Sequence, residues 1–198
     1  IQQSCGISIA DEVQTGFGRL GSHYWAFEFF DIEPDIVTLG KSMGNGFPLS
    51  AVITTREIAN RFDNGMEYFN SFGGNAVSSV VGDTVLKIIT EEGLQDNAKD
   101  VGQYLKRQLL ELKCKSPIIG DIRGEGLFLG VEIVDLKKDK ISLPILARNI
   151  IDKMRDKCIL LSVDGPKKNI IKIKPPLPFN KENADFLVEN FYKVLLSL

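Results

Sequence analysis

The chain has 198 residues, enough for one large domain or two small ones. Its net charge of −2 gives no electrostatic reason to bind nucleic acid or an anionic membrane, and no apolar run approaches the ~20 residues that a membrane span needs. The single histidine, His23, effectively excludes a Ser-His-Asp site and a multi-histidine metal site.

The cysteines and the first residues bear on the cellular compartment. Cys5, Cys114 and Cys158 are odd in number, widely spaced and without metal-ligand spacing, so they fit free thiols in a reducing compartment. The chain begins at Ile1 without an initiator methionine and without a signal or transit pattern. We therefore expect a fragment of an intracellular protein, from the mitochondrial matrix or the cytoplasm, whose upstream half is absent.

Hydrophobic patterns predict an α/β organisation for the first half of the chain. Short apolar runs rich in β-branched residues indicate strands, and longer stretches with helical spacing indicate helices. The predicted strands cover residues 7–10, 35–39 and 50–54. The predicted helices cover a short aromatic segment within residues 21–30, a segment at 56–62 capped by Thr54 or Thr55, and residues 76–89 and 94–112.

The second half is predicted to form a small α+β domain. Strands are expected at residues 118–122, 127–133 and 170–173, and helices at residues 146–157 and 182–196. Pro117 and Gly120 interrupt the pattern of the preceding long helix. We place the domain boundary near that helix, so that residues 1–105 form one domain and residues 106–198 the other.

Asp11 is the first candidate site residue. It follows the first predicted strand and precedes a glycine-rich loop, Gly16-Phe17-Gly18. In α/β proteins, ligands bind beyond the carboxyl ends of parallel strands, which is where this arrangement places a carboxylate. The alternative is an ordinary helix cap or turn carboxylate, a common use of aspartate after a strand.

Lys41 is the second candidate, at the end of an apolar strand and within a loop that holds Gly40, Gly44 and Gly46. Burial at such a position would lower the pKa of the amine and favour its nucleophilic form. The alternative is a surface lysine in a turn. Ser71 lies in a polar, glycine-rich loop that could offer hydroxyl and backbone N–H donors to an anion.

Four motifs occur in order along nearly the whole chain. They are Ile9-Ala10-Asp11-Glu12-Val13-Gln14-Thr15-Gly16-Phe17-Gly18-Arg19, Thr38-Leu39-Gly40-Lys41-Ser42-Met43-Gly44-Asn45-Gly46, Ser71-Phe72-Gly73-Gly74-Asn75 and Ile122-Arg123-Gly124-Glu125-Gly126-Leu127-Phe128-Leu129-Gly130-Val131-Glu132. Together they resemble the class-III (ω-amino acid type) pyridoxal-phosphate aminotransferases. The resemblance implies an α/β fold of the PLP-dependent transferase fold type I, pyridoxal 5'-phosphate (PLP) as cofactor, and a homodimer or tetramer with the site at the subunit interface. The segment 1–105 would then be the C-terminal part of the large PLP-binding domain.

The resemblance also implies a role for individual residues. Lys41 would form the Schiff base with PLP and, once released, act as the general base. Asp11 would be a buried carboxylate that keeps the pyridine nitrogen protonated. Val13 would pack on one face of the ring, and Gln14 would reach the ring hydroxyl. Ser71 stands where the family has threonine as a rule, and would bind the cofactor phosphate across a dimer interface.

Lys172 and Lys174 depart from the pattern of typical aminotransferases, which carry an arginine where Lys172 stands. Lysine is a point charge and cannot form the bidentate fork that grips a carboxylate. The run Lys-Ile-Lys-Pro-Pro is similar to the phospho-lyase branch, which includes ethanolamine-phosphate and 5-phosphohydroxylysine phospho-lyases. The alternative is that both residues are edge-strand lysines that prevent aggregation.

We therefore expect a phospho-lyase that converts a small phosphorylated amine into an aldehyde, ammonia and phosphate. A class-III ω-aminotransferase of the alanine–glyoxylate type is the first alternative. An inactive fragment is the second, because the family's upstream phosphate cup and ring-stacking aromatic have no counterpart here. On that reading, the isolated polypeptide binds PLP weakly or not at all and is poorly soluble. Arg123, His23 and Trp25 are expected to serve packing and shape rather than chemistry.

Overall fold

Two separate β-sheets organise the chain in the structure, a computed structural model that describes residues 6–198. The chain divides into two compact units, one that extends to Gln95 and one from Asp96 to Leu198. The division after Gln95 lies within one long helix, Leu94–Lys115. The predicted boundary between residues 105 and 106 lies within the same helix. The predicted domain boundary stays a prediction.

The sheet of the first unit has three strands, β1 (Ile9–Asp11), β2 (Ile36–Leu39) and β3 (Ala51–Thr54). β1 runs parallel to β2, and β3 runs antiparallel to it, so β2 is the central strand. Each of the three predicted strands is confirmed to within two residues. The pairing of β1 with β2 begins at Ile9 and Ile36. Just before it, Asp35 Oδ2 accepts hydrogen bonds from both Ser8 N and Ser8 Oγ at 2.7 Å.

The helices of the first unit are short except for the last. The aromatic segment forms a 3-10 helix, Ala26–Phe30, followed later by α1 (Arg56–Phe62) and α2 (Ala76–Glu91). Thr55, rather than Thr54, caps α1, because its hydroxyl accepts from Ile58 N at 3.4 Å. Asn75 caps α2 in the same way, since its Oδ1 accepts from Ser78 N at 3.0 Å.

The second unit begins with most of α3 (Leu94–Lys115) and contains one larger sheet. Its strands pair in the order β4-β5-β8-β7, all antiparallel, with β6 on the end of β5. The elements that follow α3 are β4 (Ile119–Glu125), β5 (Phe128–Asp135), β6 (Ile141–Ser142), α4 (Pro144–Arg155), β7 (Ser162–Asp164), β8 (Ile170–Ile173) and α5 (Lys181–Leu196).

One apolar core closes the second unit between one face of this sheet and the three helices. Residues that alternate along β5 and β8 point into it, as expected for a sheet with one covered face. The buried side chains of this core include Leu105, Leu109, Leu129, Val131, Ile133, Ala147, Ile150, Met154, Ile171, Ile173, Leu187 and Phe191. The predicted helices and strands here are confirmed, whereas the short strands β6 and β7 were not predicted.

β8 is an interior strand, flanked by β5 and β7. The edge-strand interpretation of Lys172 is therefore wrong. The sequence pattern did not reveal β7, which pairs with β8 on the side opposite β5. Lys174 follows the last residue of β8, so it does not belong to an edge strand either.

The two described cysteines, Cys114 and Cys158, are exposed free thiols, as predicted. Cys5 lies outside the described residues. Within residues 6–198, none of the helices combines the length and the apolar character needed to cross a membrane.

Candidate active site

Asp11 is the last residue of β1 and pairs in register with Thr38 of β2. Its Oδ1 accepts hydrogen bonds from Val13 N at 3.1 Å and from Thr38 Oγ1 at 3.4 Å. The carboxylate therefore closes a turn, as the alternative interpretation expected. In the described chain the Asp11 side chain is exposed and β1 is an edge strand. The burial expected of Asp11 in the complete cofactor site stays a prediction.

Lys41 follows β2 by two residues and opens a 3-10 helix, Lys41–Met43. Its backbone is left-handed, with φ of 41°, a conformation that is uncommon for a residue with a side chain. In the described chain the Lys41 side chain is exposed and helps to line a cavity of about 500 Å³. The burial expected of Lys41 in the complete site stays a prediction. The same cavity is lined by Ser42, Asn45, Gly46, Phe47 and Pro48.

Two of the three glycines near Lys41 are needed by the loop itself. A Cβ at Gly44 would lie 2.2 Å from Phe47 O, and Gly46 has φ of 99°. Gly40 is different, because a Cβ there would make only ordinary contacts, at 3.8 Å from both methyl groups of Val13. The apolar side chain of Val13 therefore lies next to the residue that precedes Lys41.

Register and contact bring three predicted site residues together at one end of the first sheet. Asp11 lies opposite Thr38, three residues before Lys41, and Val13 lies beside Gly40. Val13 and Gln14 are both half-buried in the turn that follows β1. This end of the sheet thus presents a carboxylate, a primary amine and an apolar face.

Glu12 is a residue of this region that the sequence reasoning missed. It is only 2% exposed, and its carboxylate accepts hydrogen bonds from Phe27 N at 2.8 Å and from Thr15 Oγ1 at 2.9 Å. Its backbone N–H donates to Thr38 O at 3.0 Å. Alternation along β1 places neighbouring side chains on opposite faces, which was the available signal that Asp11 and Glu12 have different environments.

The glycine-rich loop after β1 packs on aromatic rings. Phe17 and Trp25 meet edge to face with their centroids 5.1 Å apart, and a Cβ at Gly16 would lie 2.9 Å from the Trp25 ring. Burial lowers the pKa of the nearby Arg19 guanidinium. Trp25 therefore packs, as expected, while His23 contacts Ser22 and the Phe29 ring.

The structure does not bring Ser71 to the Lys41 cavity. Ser71 is exposed in the turn between α1 and α2. The Oδ1 atom of Asn70 accepts from the backbone N–H groups of Phe72 and Gly73, at 3.0 and 3.2 Å, so these two donors are already engaged. A separate cavity of about 420 Å³ lies beside this turn and is lined by Pro48, Leu49, Ser50, Asn70, Phe72, Gly73, Gly74, Asn75 and Ser79.

In the second unit, Lys172 lies on β8 with its side chain 23% exposed. Its Nζ donates to Asp164 Oδ2 at 2.6 Å. Lys174 is half-buried just after the same strand. Arg123 binds two carboxylates, those of Asp121 and Glu132, each at 2.9 Å, which supports a structural role for Arg123 in this unit.

Comparison with known proteins gives a match along nearly the whole chain. The family model described as Aminotransferase class-III matches residues 3–195. An "Alanine--glyoxylate aminotransferase 2-like" protein of Drosophila melanogaster is 46% identical over 200 residues, which cover 100% of this chain and 40% of the relative. The mitochondrial "Alanine--glyoxylate aminotransferase 2" of Homo sapiens is 43% identical over 96% of this chain and 37% of its own length. The chain thus spans about two-fifths of the length of these relatives.

Solved structures with the same fold include a lyase and an aminotransferase. A phospholyase from Arthrobacter in complex with phosphoethanolamine is 40% identical, has a TM-score of 0.94, and is matched over 100% of this chain and 47% of its own. A Bacillus anthracis aminotransferase is 31% identical with a TM-score of 0.90, over 100% of this chain and 46% of its own. These neighbours confirm the predicted fold class, the PLP-dependent transferase fold type I.

Proposed function

This chain belongs to the class-III aminotransferase family, whose members depend on PLP, and on that premise we propose that it contributes the lysine side of a PLP site. Lys41 holds the cofactor through its amine, Asp11 faces the pyridine nitrogen and Val13 packs on the ring. Gln14 reaches the ring hydroxyl. Ser71 binds the cofactor phosphate, from a neighbouring subunit of a homodimer or tetramer.

The residues of the first unit fit this cofactor chemically. A PLP site needs a primary amine for the aldehyde, a carboxylate for the ring nitrogen and an apolar surface for the ring. Lys41, Asp11 and Val13 supply these three groups at one end of the first sheet. Oδ1 of Asp11 closes the turn, so Oδ2 is the oxygen that we assign to the cofactor.

The reaction we propose is elimination of phosphate from a small phosphorylated amine, such as phosphoethanolamine or a 5-phosphohydroxylysine-type compound. Bound PLP supplies an electron sink: it takes up the electron pair that remains on the substrate carbon bearing the amine when that carbon loses its proton. Lys41 removes the proton from that carbon, and the carbon–oxygen bond to the phosphate group breaks. The net reaction consumes one water and yields an aldehyde, ammonia and phosphate.

The observation that carries the lyase proposal is the ammonium of Lys172 in place of a guanidinium. A guanidinium fork matches a planar carboxylate, whereas lysine is a point charge. A substrate without an α-carboxylate leaves such a fork nothing to hold. We assign Lys172, with Lys174, to the anionic group of the substrate. The likeness to a phospholyase that was solved with phosphoethanolamine supports this choice.

The second candidate function is an ω-aminotransferase of the alanine–glyoxylate type. It is favoured by the names of the relatives, which are 46% and 43% identical to this chain. The Homo sapiens relative is named as mitochondrial, which supports the mitochondrial matrix as a compartment, with the cytoplasm as the alternative.

One experiment separates the two functions. Full-length protein is incubated with phosphoethanolamine, with and without pyruvate, and free phosphate and alanine are measured. We expect phosphate release that does not need pyruvate. Alanine formation that needs pyruvate, without phosphate release, would replace the lyase by the aminotransferase.

Two lysine variants identify the catalytic amine. Lys41→Ala is expected to lower phosphate release by at least about 10²–10⁴-fold, because the general base is lost. Lys99→Ala, which removes an exposed lysine of α3, should leave the rate unchanged. Titration of the 198-residue polypeptide with PLP, followed by absorbance, tests the inactive-fragment alternative, which predicts weak or no binding.

A further inference from the structure

Asp11, Thr38 and Val52 form a row across the three strands of the first sheet. Thr38 on β2 pairs in register with Asp11 on β1 and, on its other side, with Val52 on β3. Side chains at registered positions of paired strands lie on the same face of a sheet, close to one another. The Thr38 hydroxyl therefore has a carboxylate on one side and an apolar side chain on the other, so the hydrogen-bond acceptor in this row is Asp11.

The Asp11 carboxylate is held through one of its two oxygens. Oδ1 accepts from Val13 N at 3.1 Å and from Thr38 Oγ1 at 3.4 Å. Within residues 6–198, Oδ2 accepts no hydrogen bond, and the Thr38 hydroxyl donates to Asp11 alone. One donor thus comes from the turn that follows β1 and the other from the neighbouring strand, and both bind the same oxygen.

The two donors fix the carboxylate in different ways. The torsion that orients a carboxylate is broad, so its orientation is determined by hydrogen bonds more than by the rotamer. Val13 follows Asp11 by two residues and belongs to the turn that the carboxylate itself closes. With that donor alone, the carboxylate can still pivot about Oδ1. Thr38 belongs to the central strand, which is paired on both sides, and its hydroxyl holds Oδ1 from a separate element of the sheet.

We propose that Thr38 is a positioning residue, which holds Oδ1 of Asp11 so that Oδ2 faces the pyridine nitrogen of the cofactor. The proposal rests on the proposed function, in which Asp11 binds that nitrogen. Removal of the Thr38 hydroxyl leaves Asp11 in place but lets its carboxylate pivot, so that Oδ2 meets the cofactor in only a fraction of the molecules. The hydrogen bond is long for a hydroxyl donor, so the expected effect is modest.

The test measures the dissociation constant of PLP for the full-length protein. Thr38→Val removes the hydroxyl and keeps the β-branched shape that a strand favours. We expect this variant to raise the dissociation constant roughly three- to tenfold, the loss typical of one hydrogen bond. Thr38→Ser keeps the hydroxyl and should restore a dissociation constant near that of the wild type.

A matched control removes another hydroxyl from the same sheet. Thr54 on β3 donates to Asp35 O at 2.9 Å, and Thr54→Val should leave the PLP dissociation constant unchanged. Asp11→Ala combined with Thr38→Val should bind PLP no more weakly than Asp11→Ala, because Thr38 acts through the carboxylate. If the two losses add, or if Thr38→Val and Thr54→Val have equal effects, Thr38 merely supports the sheet and the proposal is wrong.

Crystal structures of the cofactor-free, full-length protein keep this proposal distinct from the proposed function. The Asp11 side chain should adopt one conformation in the wild type and in Thr38→Ser, and more than one in Thr38→Val. A single, unchanged conformation in Thr38→Val overturns the role of Thr38 alone. Several conformations in Thr38→Val, together with PLP binding that Asp11→Ala does not weaken, overturn the proposed cofactor site alone.

Discussion

The two units of this protein bury their apolar side chains to very different degrees. In the second unit, Leu105, Leu109 and Phe191 are fully buried within one core that its own sheet and helices enclose. In the first unit, buried apolar residues are few, while large ones remain 67–80% exposed between α1 and the turn before α2. These are Phe62, Met66, Tyr68, Phe69 and Phe72.

This difference shows where the protein depends on other surfaces. Large apolar side chains exposed close together are typical of a surface that another polypeptide covers. The second unit needs no such cover for its core. The first unit carries Asp11 and Lys41 and leaves both exposed, so the proposed chemistry lies in the unit that is less complete by itself. The closed apolar core and the proposed cofactor residues thus lie in different parts of the chain.

The largest expected effect tests the core of the second unit. Leu105→Ala removes a fully buried side chain, so we expect the free energy of unfolding to fall by about 2–5 kcal/mol. Leu110→Ala is the matched control, because Leu110 lies on the same helix but is 41% exposed. Its effect should stay below about 1 kcal/mol. Urea denaturation measures both values, and equal losses in the two variants would contradict a closed core.

The next effect tests the hydrogen bonds that the buried Glu12 carboxylate accepts in the loop after β1. Glu12→Ala leaves the N–H of Phe27 and the hydroxyl of Thr15 without their acceptor. Because hydrogen bonds to a charged group contribute about 1.5–3 kcal/mol, the Phe27 amide should exchange with solvent roughly 10- to 100-fold faster. Glu57→Ala, which removes an exposed carboxylate of α1, should leave that exchange rate unchanged. Slow exchange of Phe27 in Glu12→Ala would mean that Glu12 does not order the loop.

The smallest effect concerns a surface ion pair of the second unit and depends on pH. The hydrogen bond from Arg123 holds the pKa of Asp121 below its ordinary value. A carboxylate with a lowered pKa stabilises the folded state above the unfolded pKa of about 3.9, and this contribution is lost as the pH falls through the folded pKa. The side chain of Asp121 is 47% exposed, so Asp121→Asn should cost at most about 1 kcal/mol at pH 7. Urea midpoints at neutral pH and at about pH 2 check this, and a difference that persists in acid would assign the effect to another cause.

The helices and most strands could be predicted from the sequence because local patterns determine them. Helix α1 and strand β8 were predicted at the residues where the structure has them. The strand β7 was missed, since Ser162-Val163-Asp164 is short and has two polar residues out of three. That omission also produced the wrong edge-strand interpretation of Lys172, because the order of strands in a sheet depends on contacts between distant segments.

The position of the site residues was easier to predict than their environment. Asp11, at the end of β1, and Lys41, just after β2, lie at the same end of the sheet because the two strands are parallel. Their burial depends on what packs over them, and no local pattern around Asp11 or Lys41 contains that information. The burial of Glu12 could not be predicted for the same reason. Its Oε1 atom accepts a hydrogen bond from Phe27 N, fifteen residues further along the chain.

The left-handed backbone at Lys41 bears on how this position can change over generations. A residue with a side chain carries roughly 1–2 kcal/mol of conformational cost there, whichever side chain it has. Glycine would remove that cost, so selection for stability alone would replace the lysine with glycine. Lysine at this position therefore stands against the preference of the backbone for glycine. In descendants that no longer need the reaction, replacement of Lys41 by glycine would be an early sign that the activity had been lost.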